Sequence, residues 1–241
     1  MKRQKVRKTM LIITFLLFPV IIYYFSPYFI IQGALEGVIN GSFCVFAAML
    51  IGSAFFGRLF CGYLCPAGGI QECVMAVNDK VPKQGWRDRI KYVIWLVWIA
   101  GVIISFLFRR SQLKLDFFYQ TDHGISISNI YGYIIYYGIV CLIFIPALIG
   151  GKRAFCHYFC WMAPFMVVGS RIGRGLHIKR LLLSGDNSLC VNCRQCDKKC
   201  PMGLRVSEKV QKNDMYDEEC ILCGECIDGC PKKAIKYAFK Q

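Results

Sequence analysis

The sequence predicts a mostly α integral membrane protein with four transmembrane helices, followed by a small C-terminal α+β domain. Three observations support this fold class. The 241-residue chain is 56% hydrophobic with a mean hydropathy of +0.42, which is too apolar for a surface that faces only water. Four long apolar runs account for most of this excess. The last part of the chain, residues 186–241, differs in composition: it carries ten Lys/Arg, nine Asp/Glu and eight cysteines.

The apolar runs have the length of membrane-crossing helices, which need about 17–25 residues. The first run begins at Thr9, after five basic residues within positions 1–8. A signal peptide also starts with a basic region, but its apolar core is only about 7–15 residues long, so we expect a retained span. The four predicted spans cover residues 10–31, 37–57, 92–108 and 130–150.

The basic residues predict the orientation of these spans. Residues 1–8 carry five Lys/Arg and residues 58–91 carry six, whereas the intervening segments 32–36 and 109–129 carry none and three. By the positive-inside rule, both termini should be cytoplasmic in a multi-pass protein of the inner membrane. The net charge of +15 therefore lies mainly beside apolar segments, and we expect no nucleic-acid partner.

The C-terminal part contains the run C-x2-C-x2-C-x3-C-P twice. Three thiolates on one tight loop can hold three irons of a cubane cluster, and in two-cluster bacterial ferredoxins the fourth cysteine of each run ligates the other cluster. Zinc sites instead use C-x2-C pairs with a longer insert between them. Cluster thiolates also favour a reducing compartment. We predict two [4Fe-4S] clusters, one held by Cys190, Cys193, Cys196 and Cys230, the other by Cys220, Cys223, Cys226 and Cys200.

A second set of cysteines follows the second and fourth predicted spans as two C-x3-C pairs. Each pair comes after a glycine, one or two basic residues and an aromatic residue, so the pairs resemble two halves of one site. C-x3-C places both sulfurs on one face if the backbone is helical there. A shared metal or third iron–sulfur cluster, a redox or metal-transferring dithiol, and simple packing all remain open. The pairs are Cys61 with Cys65 and Cys156 with Cys160.

The other cysteines and the histidines carry weaker signals. We expect Cys44, Cys73 and Cys141 to pack in the core, and His123, His157 and His177 lie outside the predicted spans, which argues against an intramembrane haem. No acid–base pair, nucleophile or phosphate-binding loop stands out, so catalytic residues are not assigned and an enzymatic role is left open.

Together these motifs resemble the membrane-bound polyferredoxin family typified by NapH. Cys61, Cys65 and Pro66 match the family's first C-x3-C-P motif, while Trp161 stands where the second motif often has proline. The resemblance implies electron transfer at the membrane, between a quinol pool or cytosolic donor and a partner redox protein. The alternative is a metal-handling or assembly factor. We predict a membrane domain at 1–164, a membrane-surface linker at 165–185 and a ferredoxin-like domain at 186–241.

Overall fold

The computed structural model describes residues 2–82, 85–108 and 114–240, and within these ranges the chain is mostly helical. Residues 83–84 and 109–113, parts of the basic segments used above to predict orientation, lie outside the described residues. The first half contains α1 (Lys2–Leu16), α2 (Phe18–Ile21), α3 (Pro27–Glu36), α4 (Gly41–Phe56), α5 (Leu59–Tyr63), α6 (Pro66–Val74) and α7 (Ile90–Phe108). The second half contains α8 (Ile130–Gly150), α9 (Ala154–Tyr158), α10 (Ala163–Gly175), α11 (Gln195–Lys199), α12 (Val206–Gln211) and α13 (Glu225–Asp228).

Two small sheets complete the described structure. The first is parallel and joins β1 (Val38–Asn40) to β2 (Lys114–Asp116). The second is antiparallel and joins β3 (Arg180–Gly185) to β4 (Ile235–Lys240), with Arg180 opposite Lys240 and Gly185 opposite Ile235. The second sheet therefore joins a strand that precedes both cysteine runs to a strand that follows them.

The ends of several helices follow from local sequence. The α3 helix starts at Pro27, which lacks the N–H that a first turn leaves unpaired. It ends at Gly37, whose φ of 74° is the left-handed conformation that favours glycine. The side chain of Asn40 accepts a hydrogen bond from the Phe43 N–H at 3.0 Å and so caps α4. Asn129 caps α8 in the same way.

By length and composition, two described helices can cross a membrane: Trp86–Phe108, which adds a 3₁₀ turn to α7, and α8. The segments Lys2–Leu16 and Phe18–Phe25 meet the criterion only together, and they are bent by 60°. The α4 helix has 16 residues and is shorter than α7 and α8. The described structure thus offers two candidate spans, or three if the bent pair counts as one. The second predicted span, residues 37–57, which contains α4, stays a prediction.

The first predicted span, residues 10–31, is not one straight helix. The α-helical ladder breaks at Leu17, just before the short α2, which has a proline in its first turn. Because Pro19 supplies no N–H, it interrupts the hydrogen bonds of a continuing helix. A 3₁₀ turn over Ile22–Phe25 follows, and Pro27 opens a new helix.

Residues 165–185, the predicted membrane-surface linker, are largely packed. The α10 helix lies along α4, and its glycines allow the two backbones to approach closely: a Cβ on Gly169 would collide with the carbonyl of Leu50, and one on Gly173 with that of Ala54. Residues 180–185 form β3 and pair with β4. Strand pairing, which links residues about 60 positions apart, ties this stretch to the C-terminal sheet. The division at residues 164 and 185 stays a prediction.

Candidate functional site

Two cavities in the C-terminal part separate its eight motif cysteines into two groups of four. Each group takes three cysteines from one run and the fourth from the other, which is the crossed arrangement that the sequence predicts. The larger cavity, with an empty volume of about 450 Å³, is lined by Cys200, Cys220, Cys223 and Cys226. The second, of about 370 Å³, is lined by Cys190, Cys193, Cys196 and Cys230.

The two loops curl around these cavities through repeated left-handed residues. Asn192 and Leu222, each two residues after the first cysteine of its run, have φ values of 51° and 52°. Arg194 and Gly224, two residues further on, have φ values of 55° and 75° and precede short helices. The second half of the cysteine run thus repeats the backbone of the first, so both loops wrap their cysteines inward.

The chemistry of the donors suits iron at these cavities. Burial raises the pKa of Cys220 and of Cys223 to about 12, so these sulfurs are neutral thiols on their own. Coordination to a metal deprotonates a thiol outright, and a cubane cluster takes four thiolates. The described residues around each cavity therefore fit a [4Fe-4S] cluster by ligand type and number.

The two C-x3-C pairs also have matching backbones. Cys61 lies on α5 and Cys156 on α9, two helices of five residues each. The N–H of Cys65 donates to the carbonyl of Phe60 at 3.0 Å, and the N–H of Cys160 donates to the carbonyl of Phe155 at 3.0 Å. All four sulfur-bearing side chains are buried, with 2% of their surface exposed.

The four cysteines converge on one buried region. Burial raises the pKa of Cys160 to about 12, and the nearby sulfurs of Cys156 and Cys61 add to that rise. Around them, the amide Nε2 of Gln71 donates to Cys156 Sγ at 3.1 Å. Within the described ranges, no group of three or more His, Cys, Asp or Glu side chains closes around a single metal ion, and this applies to the C-terminal loops as well.

Two buried arginines flank this region. Arg58 and Arg153 each lie three residues before the first cysteine of a pair, and neither has more than 1% of its surface exposed. The Nε and Nη2 atoms of Arg58 and Nε of Arg153 are buried without a hydrogen-bond partner among the described residues. Burial raises the pKa of the Cys61 thiol, and the Arg58 guanidinium opposes that rise. Cations with unused donors beside four thiols fit an anionic, thiolate-bound group at this place.

The second cysteine loop of the C-terminal part lies directly against the first C-x3-C pair. A Cβ on Gly62 would collide with the carbonyl of Ile221, and one on Gly57 would touch Leu222 at 3.5 Å. The carbonyl of Gly62 also accepts a hydrogen bond from Arg7 Nη1 at 3.5 Å. The cavity of Cys220, Cys223 and Cys226 is therefore the one nearer to the C-x3-C region.

Comparisons with known proteins agree with both sets of cysteines. A family model described as a 4Fe-4S dicluster domain matches residues 189–235, and one described as a 4Fe-4S binding domain matches residues 41–84 and 134–179. The ferredoxin-type protein NapH of Haemophilus influenzae is 24% identical over 208 residues, which cover 80% of this chain and 69% of NapH. These matches support a NapH-like polyferredoxin family for this chain. The chain is thus an iron–sulfur, electron-transport protein of the membrane.

Other relatives of this NapH-like chain are similar over most of its length. An uncharacterized protein of Methanocaldococcus jannaschii is 28% identical over 218 residues, covering 86% of this chain and 84% of the relative. The methylamine utilization ferredoxin-type protein MauN of Paracoccus denitrificans is 23% identical over 184 residues, covering 73% of this chain and 60% of MauN. No solved structure matches the chain.

The buried ion pairs around the two C-x3-C pairs were not evident from the sequence. One carboxylate, Glu72, binds both Arg7 and Arg153, with Arg153 Nη2 at 3.0 Å. A second, Glu219, lies 2.6 Å from both Arg58 Nη1 and Lys91 Nζ. The only local signal was the basic residue before each C-x3-C pair, which corresponds to Arg58 and Arg153.

The weaker candidates take structural positions. His157 is buried and joins two segments: its Nε2 lies 3.2 Å from the carbonyl of Met202, and its Nδ1 lies 3.5 Å from Asp88. Trp161, at the position of the missing proline, donates from Nε1 to the carbonyl of Phe25 at 3.2 Å. Cys73 is exposed rather than packed in the core, because it lies on the outer face of α6. Cys141, on α8, is exposed as well, while Cys44 is partly buried.

Proposed function

We propose that this protein relays single electrons between a cytoplasmic or quinone donor and a partner redox protein. The centres would be two [4Fe-4S] clusters in the C-terminal part and a third cluster at Cys61, Cys65, Cys156 and Cys160. Bound clusters of this kind supply one-electron redox chemistry. The observation that carries the proposal is the division of the eight C-terminal cysteines between two cavities in the crossed arrangement.

The chain's own residues support a fixed relay from the C-terminal loops to the membrane part. Ile221 packs on Gly62, and Arg7 connects the two regions by pairing with Glu225 at 3.1 Å and with Glu72. These contacts pack the second cysteine loop against the first C-x3-C pair. No autonomous catalytic site is needed for such a role, because turnover would take place on the partners.

We further propose an inner-membrane location with both termini cytoplasmic. Arg3, at the start of α1, pairs with Asp228 of the second cysteine loop at 2.7 Å, which supports placing the N-terminus and the C-terminal part on one side. A quinone donor is supported by an apolar cavity with an empty volume of about 1060 Å³ beside the C-x3-C region. Met10, Phe60, Tyr63 and Met166 contribute to its lining, and Met166 Sδ lies 3.8 Å from Cys61 Sγ.

Iron analysis tests the proposed set of clusters. Since a cubane cluster holds four irons, an anaerobically purified chain should contain about twelve irons and about twelve sulfides, whereas the C-terminal clusters alone would give about eight. Replacing Cys61, Cys65, Cys156 and Cys160 together with alanine should lower both counts by about a third. The exposed Cys73 offers a matched control, because Cys73→Ala should leave the counts unchanged.

The outcomes separate the proposal from its alternatives. If the four-alanine variant keeps its full iron count, the membrane part holds no cluster. Copper bound by the wild type and lost in that variant would instead indicate metal handling, which no described contact or relative favours. Crossed ligation has its own test: Cys200→Ala should remove the paramagnetic signal of the cluster on Cys220, Cys223 and Cys226, and Cys230→Ala that of the other.

A further inference from the structure

Four acidic residues of the C-terminal part pair with cations of residues 1–185. This part carries ten Lys/Arg and nine Asp/Glu, so its net charge is close to zero. Four of its acidic residues nevertheless form ion pairs with basic residues outside the C-terminal part. Glu218 pairs with Arg171 at 2.6 Å, Glu219 with Arg58 and Lys91 at 2.6 Å, Glu225 with Arg7 at 3.1 Å, and Asp228 with Arg3 at 2.7 Å.

This pairing leaves cations around the other cavity, that of Cys190, Cys193, Cys196 and Cys230. Arg194 and Lys232 line that cavity, and none of the described residues lining it is acidic. Lys199 and Lys233 lie next to it and are exposed. The stem of Lys199 packs beside Gly229, where an added Cβ would lie 2.5 Å from Lys199 Cδ.

The acids closest in sequence to this cavity are occupied by local hydrogen bonds. Asp197 turns inward and accepts from the Ser207 N–H at 2.7 Å and from the Ser207 hydroxyl at 2.6 Å. Asp186 accepts from the Ser188 N–H at 3.0 Å and from its hydroxyl at 2.6 Å. Both carboxylates keep their charge, but Asp197 lies inward, so the outer side carries four exposed cations, Arg194, Lys199, Lys232 and Lys233, against Asp186.

The same side is also where a cluster ligand approaches the surface. Cys193 is exposed, whereas Cys223 and Cys226 of the other cavity are 7% and 6% exposed. Two apolar side chains beside Cys193 are open to solvent, Leu189 at 49% and Val191 at 60%. An apolar centre with a charged edge is the composition of an interface in which the edge steers the partner.

The end of this side formed by residues 231–233 lies away from α10. The β4 strand runs from Ile235, beside the cavity, to Lys240, which pairs with Arg180. Arg180 Nη1 in turn donates to the carbonyl of Ser170 on α10 at 2.9 Å. Pro231 to Lys233 therefore lie at the opposite end of the β3–β4 pair from α10. This placement favours a soluble partner over lipid headgroups.

We propose that this surface, the cationic rim formed by Leu189, Val191, Arg194, Lys199, Lys232 and Lys233, docks an acidic face of a soluble redox protein. The inference rests on the proposed electron relay, and it adds that electrons enter or leave the relay beside Cys193. One electron passes between the partner and the protein, so that one is oxidised and the other reduced, and no bond is formed or broken. The opposite charges of the two surfaces raise the rate of productive encounter.

Stopped-flow reduction of the oxidised holoprotein by a fully reduced flavodoxin, an acidic one-electron donor, tests the rim. The double variant Arg194→Glu/Lys232→Glu should lower the second-order rate constant at low ionic strength by about 10- to 100-fold. Arg194→Gln/Lys232→Gln should give an intermediate rate, and Arg194→Lys/Lys232→Arg should keep the wild-type rate. The matched control is Arg205→Glu/Lys212→Glu, which changes the same charge on two exposed residues that flank α12, outside the cavity lining.

The expected signature is a rate that falls with added salt in the wild type and in the control but not in the charge-reversed rim variant. Rates within about twofold of the wild type in the rim variants, or an equal loss in the control, would overturn the proposal. Iron content and the final extent of reduction by dithionite report on the relay itself. If these stay normal while the rim variants react at the wild-type rate, the docking proposal fails and the proposed function stands.

Discussion

Replacing Glu72 with glutamine tests whether buried charges hold the membrane part together. Arg7 and Arg153 have no exposed side-chain surface, and Glu72, with 7% exposed, pairs with both of them, while Arg7 also pairs with Glu225. Burial alone would raise the pKa of Glu72, but Arg153 and Arg7 hold it at about 2, below the ordinary 4.5. At about 1.36 kcal/mol per pKa unit, this difference corresponds to roughly 3 kcal/mol.

Mutational precedent for a broken buried ion pair gives a similar figure of about 3–5 kcal/mol, since a charge is left unpaired. We therefore expect Glu72→Gln to lower the free energy of unfolding by about 3 kcal/mol or more, measured by far-UV circular dichroism during denaturation of the holoprotein in mixed micelles. The matched control is Glu208→Gln, whose pair with Arg205 is 54% and 78% exposed. That change should cost less than about 1 kcal/mol.

The dependence on pH follows from the sign of the pKa difference. Because the pKa of Glu72 is lower in the folded protein, its stabilisation is fully present above about pH 4.5 and is lost as the pH falls toward about 2. The gap in stability between the wild type and Glu72→Gln should thus be constant from neutral pH to about 5 and should narrow below about 4.5. A loss under about 1 kcal/mol at pH 7, or a control that loses as much, would refute this reasoning.

Two further predictions concern the region where the second C-terminal cysteine loop meets the first C-x3-C pair. Gly62→Ala should loosen the docking of that loop, because the added Cβ meets the carbonyl of Ile221, and proteolysis between the membrane part and the C-terminal part should become faster. The control Gly52→Ala, with nothing within 4 Å of its Cβ, should behave like the wild type. Arg58→Met removes a buried cation beside Cys61 and should lower the reduction potential of the nearest cluster by tens of millivolts in a redox titration, because reduction adds negative charge there. Arg58→Lys, which keeps the charge, should shift the potential less.

The cysteine groups were predicted from local spacing in the sequence. The three ligands of one loop lie within seven residues, and the left-handed positions repeat between the loops, so short-range geometry determines most of the arrangement. The two C-x3-C pairs were also predicted as halves of one site, and the matched hydrogen bonds of Cys65 and Cys160 follow that pattern. Hydropathy found the apolar runs but averaged over the break at Leu17, which depends on the position of Pro19.

What the sequence could not predict is non-local. Arg7 and Glu225 are 218 positions apart, and no periodic pattern in the sequence predicts that they form an ion pair. The basic residues of α1 satisfied the positive-inside rule and gave no sign that Arg7 is buried. Likewise, residues 180–185 looked like an apolar and basic connector because their strand partner, β4, lies at the other end of the cysteine runs.

The same ion pairs also select one orientation of the C-terminal part. Buried ion pairs add little net stability compared with apolar contacts, because desolvation offsets their attraction, but a mismatched buried charge is strongly unfavourable. If the C-terminal part were turned around, Arg194 and Lys232 would face Arg7, Arg58 and Arg153, and these like charges would repel one another in a poorly solvated interface. With Glu219 and Glu225 inward, Arg58 and Arg7 have acidic partners, and Arg194 and Lys232 face solvent. The pairing that fixes the second cysteine loop against Gly62 is therefore also what leaves the cationic rim free for a partner.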